Sequence, residues 1–352
     1  MKPSAVRVAS RIFGLVSILV VPPSALSAAE SPPPASCEGG GCEPCRATDA
    51  PSRAGFLAPE KAEHYARLAA LSGAPRAGGS GLDRKPFPLS SMSASYLKTL
   101  DLAPAYLDVP LESFDLLEMP VNSSQQTRSE LDFLLELQAK RTPAQVAESK
   151  RMAGVYYRVS VRPEDADWPV MRRNLFQMGR QLGAWFGPEE LPVTADFMAR
   201  VWSDATYYLW AAKFRFDRNR PYALEPRLQN LETPNFPAYP SAHSGNSYVA
   251  AYVLAELIPE SRALFEHNAA DMAYSREILG VHFPSDSVAG RGLARQIVDR
   301  MLQVPKFRDD LEAARREIRA VRSQQAETTE APAGSAAIRA EPDSGAGGGG
   351  CC

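Results

Sequence analysis

The chain has 352 residues, a formal net charge of −2 and 45% hydrophobic residues, with a pI of about 6.2. That length and apolar content support one large folded unit or two small ones. The near-neutral charge excludes a general attraction to nucleic acid or to an anionic membrane, so no nucleic acid binding is expected and any anion must be held by a local cluster.

In chain order, Lys2, Arg7 and Arg11 precede the apolar run Ile12 to Val21, followed by Pro22, Pro23 and small residues up to Ala29. A basic start, a short apolar core and a small-residue cleavage site predict a signal peptide over 1–29. The run is shorter than the ~20 apolar residues that span a bilayer, and no later segment is long and apolar enough to do so. The expected product is therefore a periplasmic or secreted protein with no stable membrane span after cleavage. Residues 30–54 read as a disordered Cys/Pro/Gly-rich linker and 325–352 as a disordered low-complexity tail, because neither carries enough bulky apolar groups to offset its ordering entropy. All five cysteines, Cys37, Cys42, Cys45, Cys351 and Cys352, lie in these tails. They are read as tail disulfides or attachment points, not as catalytic groups.

Between the tails, 55–324 reads as an all-α domain. Thr127-Arg128-Ser129-Glu130 has the form of a capping box ahead of Leu131, Leu134 and Leu135 at helical spacing. Thr142-Pro143-Ala144-Gln145 repeats that signal with proline at the first helical position. Further helices are expected over about 174–186, 194–214, 244–257, 260–279, 286–304 and 306–322. Alternating patterns are scarce, no repeat is evident, and 55–120 is expected to pack as short helices and loops.

The chain has four histidines. His64, in a charged helical stretch, and His267 are given structural roles. His243 differs: it sits in YPSAHSGNS among small polar residues, with no second His or Cys nearby to make a metal site. Upstream is KFRFDRNRP, with Lys213 at a helix end and Arg220 before Pro221. Downstream is SREILGVHFPSD, in which Arg276 precedes His282 and Asp286, the last two spaced four apart. On a continuous helix those two would share a face, although Phe283-Pro284 argues for a fresh helix start and a pairing made by a turn. Each stretch alone is ambiguous: a charge run is commonly a solvated face, and a His with a carboxylate four residues on is commonly structural.

In this order the three stretches resemble the three-part signature of the phosphatidic acid phosphatase type 2 superfamily, which includes soluble bacterial class A acid phosphatases, membrane lipid phosphatases and vanadium-dependent haloperoxidases. The resemblance implies a helical bundle and a metal-independent acid phosphatase acting on small phosphomonoesters through a phosphohistidine intermediate. It implies His282 as nucleophile, Asp286 as the group that sets its tautomer, and His243 as general acid and then base. Lys213, Arg220 and Arg276 would neutralise the phosphate charge. Ser241 and the backbone N–H groups of Ala242 and His243 would add an anion site at a helix start. No cofactor is implied, vanadate entering as inhibitor.

Two other readings stand beside this one: a haloperoxidase holding vanadate as cofactor in the same pocket, and a catalytically silent phosphate- or phospholipid-binding protein. The family usually has glycine where this chain has Ala242. If that position needs positive φ, alanine costs roughly 1–2 kcal/mol; at an ordinary helix start it costs nothing. Tyr222, Phe236 and Tyr239 either line the mouth of the pocket or pack beneath it. A homo-oligomer is compatible with the sequence.

Overall fold

The computed structural model describes residues 103–156 and 166–330, with scattered positions between 81 and 99. By contacts the chain divides into Met1–Ala50 and Pro51–Cys352, and every described residue lies in the second unit. The expected signal peptide, linker, five cysteines, His64 and tail residues 331–352 lie outside the described residues.

The elements are α1 (Gln125–Lys140), α2 (Pro143–Ala153), α3 (Trp168–Asn174), α4 (Pro192–Phe216), the single turn α5 (Pro221–Leu224), α6 (Ala242–Leu257), α7 (Arg262–Ile278), α8 (Pro284–Met301) and α9 (Pro305–Glu330). No strand occurs among the described residues, so the all-α expectation holds. Residues 103–124 are extended chain and turns with a 3-10 turn at Leu111–Ser113. The buried Asp204 of α4 ties this stretch down by accepting the backbone N–H groups of Ala105, Tyr106 (3.0 Å) and Leu107 (2.8 Å).

Helix starts follow their caps. At α2 the expected box forms: the Thr142 hydroxyl accepts from Gln145 N while Gln145 Oε1 accepts from Thr142 N. At α1 the expected Thr127–Glu130 box does not form. Ser124 caps the helix by accepting from Thr127 N at 3.1 Å, because its hydroxyl comes one turn earlier, and Glu130 is drawn into the interior. The continuous helix expected over 174–186 is also absent. α3 ends at Asn174 and a 3-10 turn follows at Gln177–Gly179. Gly179 lets the Phe186 ring close against its backbone, and Gly183 has φ +108°, a conformation that ends a helix. α9 runs to Glu330, six residues past the expected domain end at 324.

α6 is the central helix. Every residue from His243 to Leu257 except Glu256 is buried, as expected of a helix enclosed on all sides. Its chief neighbours are α7 and α8, with α4 on a further side and α9 packing on α4. Phe197, Val201 and Leu209 of α4, Val249 and Val253 of α6, Ile297 and Val298 of α8 and Phe307 of α9 belong to one core cluster. α8 approaches the first turn of α6 through Gly290, where a Cβ would stand 2.5 Å from Ser241 O and 3.0 Å from Gly245 N. This contact sets the position of the α6 amino terminus.

Candidate active site

Three chain breaks deliver the candidate residues. The first ends α4. Asp217 adopts φ 50°, ψ 36°, and its N–H closes on Lys213 O at 3.0 Å. Lys213 thus lies in the last turn of a long helix, fully buried, with Nζ donating to the carbonyls of Pro237 (2.9 Å), Ala238 (3.0 Å) and Pro240 (2.7 Å). Arg220, also buried, precedes Pro221 at the start of α5. Its guanidinium donates to Phe236 O (3.0 and 2.9 Å), Pro237 O (3.3 Å) and Val281 O (2.8 Å).

The second break starts α6. Ser241 is its N-cap, accepting from Ser244 N at 3.3 Å, and its own N–H donates to Asp286 O at 2.9 Å. Ala242 and His243 therefore open the first helical turn, with backbone N–H groups at the positive end of the helix dipole. Among the described non-glycine residues Asp217 alone has positive φ. Ala242 is consequently in ordinary helix-start geometry, and alanine there carries no strain. His243 is buried, and its Nε2 donates to Ala153 O at 2.9 Å.

The third break joins α7 to α8. Arg276 sits in the last turn of α7, and Gly280 at φ +72° ends the helix, a left-handed position that glycine fills without cost. Val281 N closes on Arg276 O, which brings His282 back over the helix end. Phe283 caps α8 and Pro284 begins it. The His282–Asp286 pair thus forms across a helix start and not along a continuous helix: His282 Nδ1 lies 2.8 Å from Asp286 Oδ2, which also accepts Phe283 N at 3.0 Å.

The tautomer of His282 follows from its neighbours. Arg220 Nη1 lies 3.0 Å from His282 Nε2, and arginine can only donate. Nε2 therefore accepts, and Nδ1 carries the proton given to Asp286. The result is a neutral imidazole with its Nε2 lone pair turned toward a guanidinium. Burial, the Arg220 charge and Lys213 lower the His282 pKa well below its usual value, against the pull of Asp286. Burial and the charges of Arg276, Lys213 and Arg220 do the same to His243. Burial would raise the Asp286 pKa, but Arg218, His282 and the Phe283 N–H together hold it down to about 2.

The cations carry positive charge that no facing carboxylate of the described residues balances at Lys213 and Arg220. Burial, with Arg220 and Arg276 nearby, lowers the Lys213 pKa well below its usual value. Burial also lowers that of Arg220 to about 10. Among the described residues neither has a carboxylate within ion-pair distance; both are held by carbonyl oxygens and, for Arg220, by His282. Arg276 is 1% exposed and paired through Nη2 with Glu232 at 2.6 Å, while its Nε and Nη1 are buried with no partner among the described residues. Buried cations held in this way are stable when an anion completes them. Among the described residues no group of three or more His, Cys, Asp or Glu could hold a metal ion.

The structure thus brings Lys213, Arg220, Ser241, Ala242, His243, Arg276, His282 and Asp286 to neighbouring helix ends. His267 stays apart, near Asp271 at 3.5 Å on α7. The aromatics pack beneath the cations. The Phe236 ring lies under Arg220 and Lys213, at 4.8 and 5.4 Å from its centroid; Tyr239 is buried, its hydroxyl donating to Leu117 O; and Tyr222 reaches Pro234 O at 3.4 Å. Three residues beside the site are not site candidates in the sequence: Arg218, Glu232 and Glu130, the last expected only as part of a capping box. Arg218 lies inside KFRFDRNRP, and its buried guanidinium donates to Asp286 Oδ1 at 2.6 Å. The local pattern points Glu130 to a capping box, and nothing in it separates Glu232 from a surface carboxylate.

Residues 202–308 match the family model described as the PAP2 superfamily. The non-specific acid phosphatase of Salmonella typhimurium is 30% identical over 163 residues, covering 44% of this chain and 64% of that protein. The acid phosphatase of Zymomonas mobilis is 28% identical over 141 residues, covering 38% of this chain and 53% of that protein. The chain thus spans less than two thirds of the length of the curated relatives it matches. Among solved structures, a bacterial vanadium-dependent iodoperoxidase matches with a TM-score of 0.46 and 18% identity, covering 68% of this chain and 64% of that one. Among the described residues no helix is long and apolar enough to cross a membrane.

Proposed function

For a chain that belongs to the PAP2 superfamily through residues 202–308, we propose the activity of an exported, metal-independent acid phosphatase that cleaves phosphate monoesters through a phosphohistidine on His282. The observation that carries this reading is the set of buried cations without carboxylate partners, Lys213 and Arg220, beside the two unpartnered donors of Arg276 and the accepting Nε2 of His282. A tetrahedral dianion neutralises the uncompensated charge, accepts from the two free donors of Arg276 and places its phosphorus before the Nε2 lone pair.

In the proposed reaction the substrate phosphoryl oxygens take over the donors of Lys213, Arg220 and Arg276, with Ser241 and the α6 amino terminus completing the cradle. Arg220 exchanges His282 Nε2 for a phosphoryl oxygen, and the freed lone pair forms the N–P bond as the ester P–O bond breaks. The departing oxygen keeps the bonding pair and takes a proton from His243. Asp286 stabilises the imidazolium formed on His282. A water molecule then attacks phosphorus, giving its proton to His243 as the N–P bond breaks, and inorganic phosphate leaves. Burial and then the cationic field lower the His243 pKa in the free protein; the dianion offsets the field, so substrate binding promotes protonation of its own general acid. The cations supply the charge neutralisation that a metal would otherwise give. The basic-apolar-small pattern of residues 1–29 supports export.

The test is hydrolysis of p-nitrophenyl phosphate at acidic pH by the mature chain. Turnover insensitive to chelators, inhibited by vanadate and lost in His282→Ala supports the reading. Full turnover in His282→Ala, or loss of activity on chelation, refutes it.

A further inference from the structure

We propose that Arg218, braced by Glu130, is a positioning residue: it fixes the Asp286 carboxylate against the His282 ring and so aims the His282 Nε2 lone pair. The inference rests on the reading of His282 as nucleophile, and its test separates the two.

Arg218 is buried and held through both terminal nitrogens. Its side chain is 0% exposed. Nη1 donates to Asp286 Oδ1 at 2.6 Å and Ser285 Oγ at 2.8 Å. Nη2 lies 3.5 Å from both Glu130 Oε2 and Thr127 Oγ1 of α1. The guanidinium carbon stands 3.8 Å from the centroid of the Phe283 ring, a cation–π contact. Glu130, also buried, accepts Ser285 N and Ser285 Oγ at 2.8 Å each. α1 and the loop after α4 thereby grip Ser285 and Asp286, two residues in the first turn of α8. Their fixation decides where His282 points.

The two oxygens of Asp286 divide the work. Oδ2 takes the His282 Nδ1 proton and the Phe283 N–H, while Oδ1 is held by Arg218. Removing Arg218 leaves Oδ1 buried without its donor, so the carboxylate loses both its orientation and the charge that keeps it ionised against burial. The charged and titratable groups around Asp286 are Arg218 from the loop after α4, His282 from its own turn, Tyr239 from the loop before α6, and Glu130 from α1 behind Arg218. Lys213 and Arg220 lie further out. Arg218 carries the largest share of the countercharge. Its two terminal nitrogens face protein groups and only its Nε lacks one, whereas Arg276 keeps both Nε and Nη1 for the anion.

The test compares Arg218→Met and Arg218→Lys with the wild type in pH profiles of kcat and KM for p-nitrophenyl phosphate. It adds thermal melting and the low-field proton resonance of His282 Nδ1, assigned by its loss in His282→Asn. In Arg218→Met, kcat is expected to fall roughly 10- to 100-fold, by analogy with outer partners of metal-bound histidines, at unchanged KM. The acid limb is expected to move up by about 1–3 pH units, the usual effect of an adjacent arginine on a carboxylate, and the Nδ1 proton to shift upfield and exchange faster. Arg218→Lys should restore part of the limb. A uniform loss of kcat that tracks melting with no shift of the limb overturns the proposal, as does a raised KM at unchanged kcat. If Arg218→Met does not fold, the Glu130→Gln/Arg218→Met double variant removes the second buried charge and carries the same expectations. Absence of turnover in the wild type would sink the phosphatase reading, while an unchanged Nδ1 resonance would sink this one by itself.

Discussion

Gly290 tests whether the candidate site depends on the packing of α8 against the α6 amino terminus. A methyl group at this position would stand 2.5 Å from Ser241 O and 3.0 Å from Gly245 N. An ordinary contact is about 3.5 Å, and both neighbours are backbone atoms of one helix turn, so they cannot rotate aside. Accommodating Gly290→Ala requires α6 to retreat by about 1 Å, or α8 to tilt by as much. Overpacking of this kind costs about 1–3 kcal/mol, which lowers the melting temperature of a domain this size by several degrees. The same displacement carries Ser241 and His243 away from His282, and about 1 Å at a reacting centre is worth roughly 10²-fold in rate. The assay pairs kcat/KM for p-nitrophenyl phosphate with thermal melting, using Gly292→Ala as control. A Cβ at Gly292 meets Leu117 Cδ1 at an ordinary 3.5 Å, so this variant should keep wild-type activity and melt no lower than the wild type, alanine being the better helix former. Gly290→Ala with wild-type activity and melting would refute the claim that this contact positions the site.

Phosphate or vanadate at 100 times its dissociation constant should stabilise the protein by about 2.7 kcal/mol, and Arg276→Ala should abolish that shift; stabilisation that survives the substitution would remove Arg276 from the cradle. In the free protein both site histidines are held neutral by burial and cations. The unfolded chain takes up protons below about pH 6.5 and the fold does not, so stability in denaturant should fall as pH drops below that value. Asp286, held at about 2 against an ordinary 3.8, contributes about 2 kcal/mol that is present above pH 4 and lost between about pH 4 and pH 2. A flat stability profile from pH 7 to pH 2 would contradict both assignments. Glu232→Gln keeps a hydrogen-bonding group beside Arg276 but removes a partly exposed negative charge from the anion site. On the order of 1 kcal/mol at such a position should lower KM several-fold, and a raised KM would show that the carboxylate itself is needed to orient the arginine.

The candidate site was legible because its residues sit at chain breaks that local sequence specifies. Pro221 and Pro284 start helices, Gly280 ends one, and Ser241 caps one; each break lies within a few residues of a cation, a histidine or an aspartate. Ala242 could not be judged from sequence, because only its observed φ shows that a side chain is tolerated there. The place of Arg218 and Glu130 behind the site was not legible, for a physical reason. Glu130 meets Ser285 across 155 positions, and a carboxylate on an amphipathic helix looks the same whether it faces solvent or a buried guanidinium. The helix expected over 174–186 failed at Gly179 and Gly183, where close approach of the Phe186 ring and a left-handed turn outweighed the apolar spacing. The Thr127–Glu130 box failed because Ser124 caps the chain one turn sooner by accepting from Thr127 N, which places Thr127 and Glu130 inside the helix.

The most direct measurement of the central claim is rapid mixing of the protein with a phosphomonoester, alkaline quenching and mass spectrometry of the peptide containing His282. One phosphoryl group is expected on His282, stable to alkali and released by acid, formed as fast as turnover and missing in His282→Asn. Turnover with no covalent phosphate on the chain, or with phosphate on another residue, would contradict it.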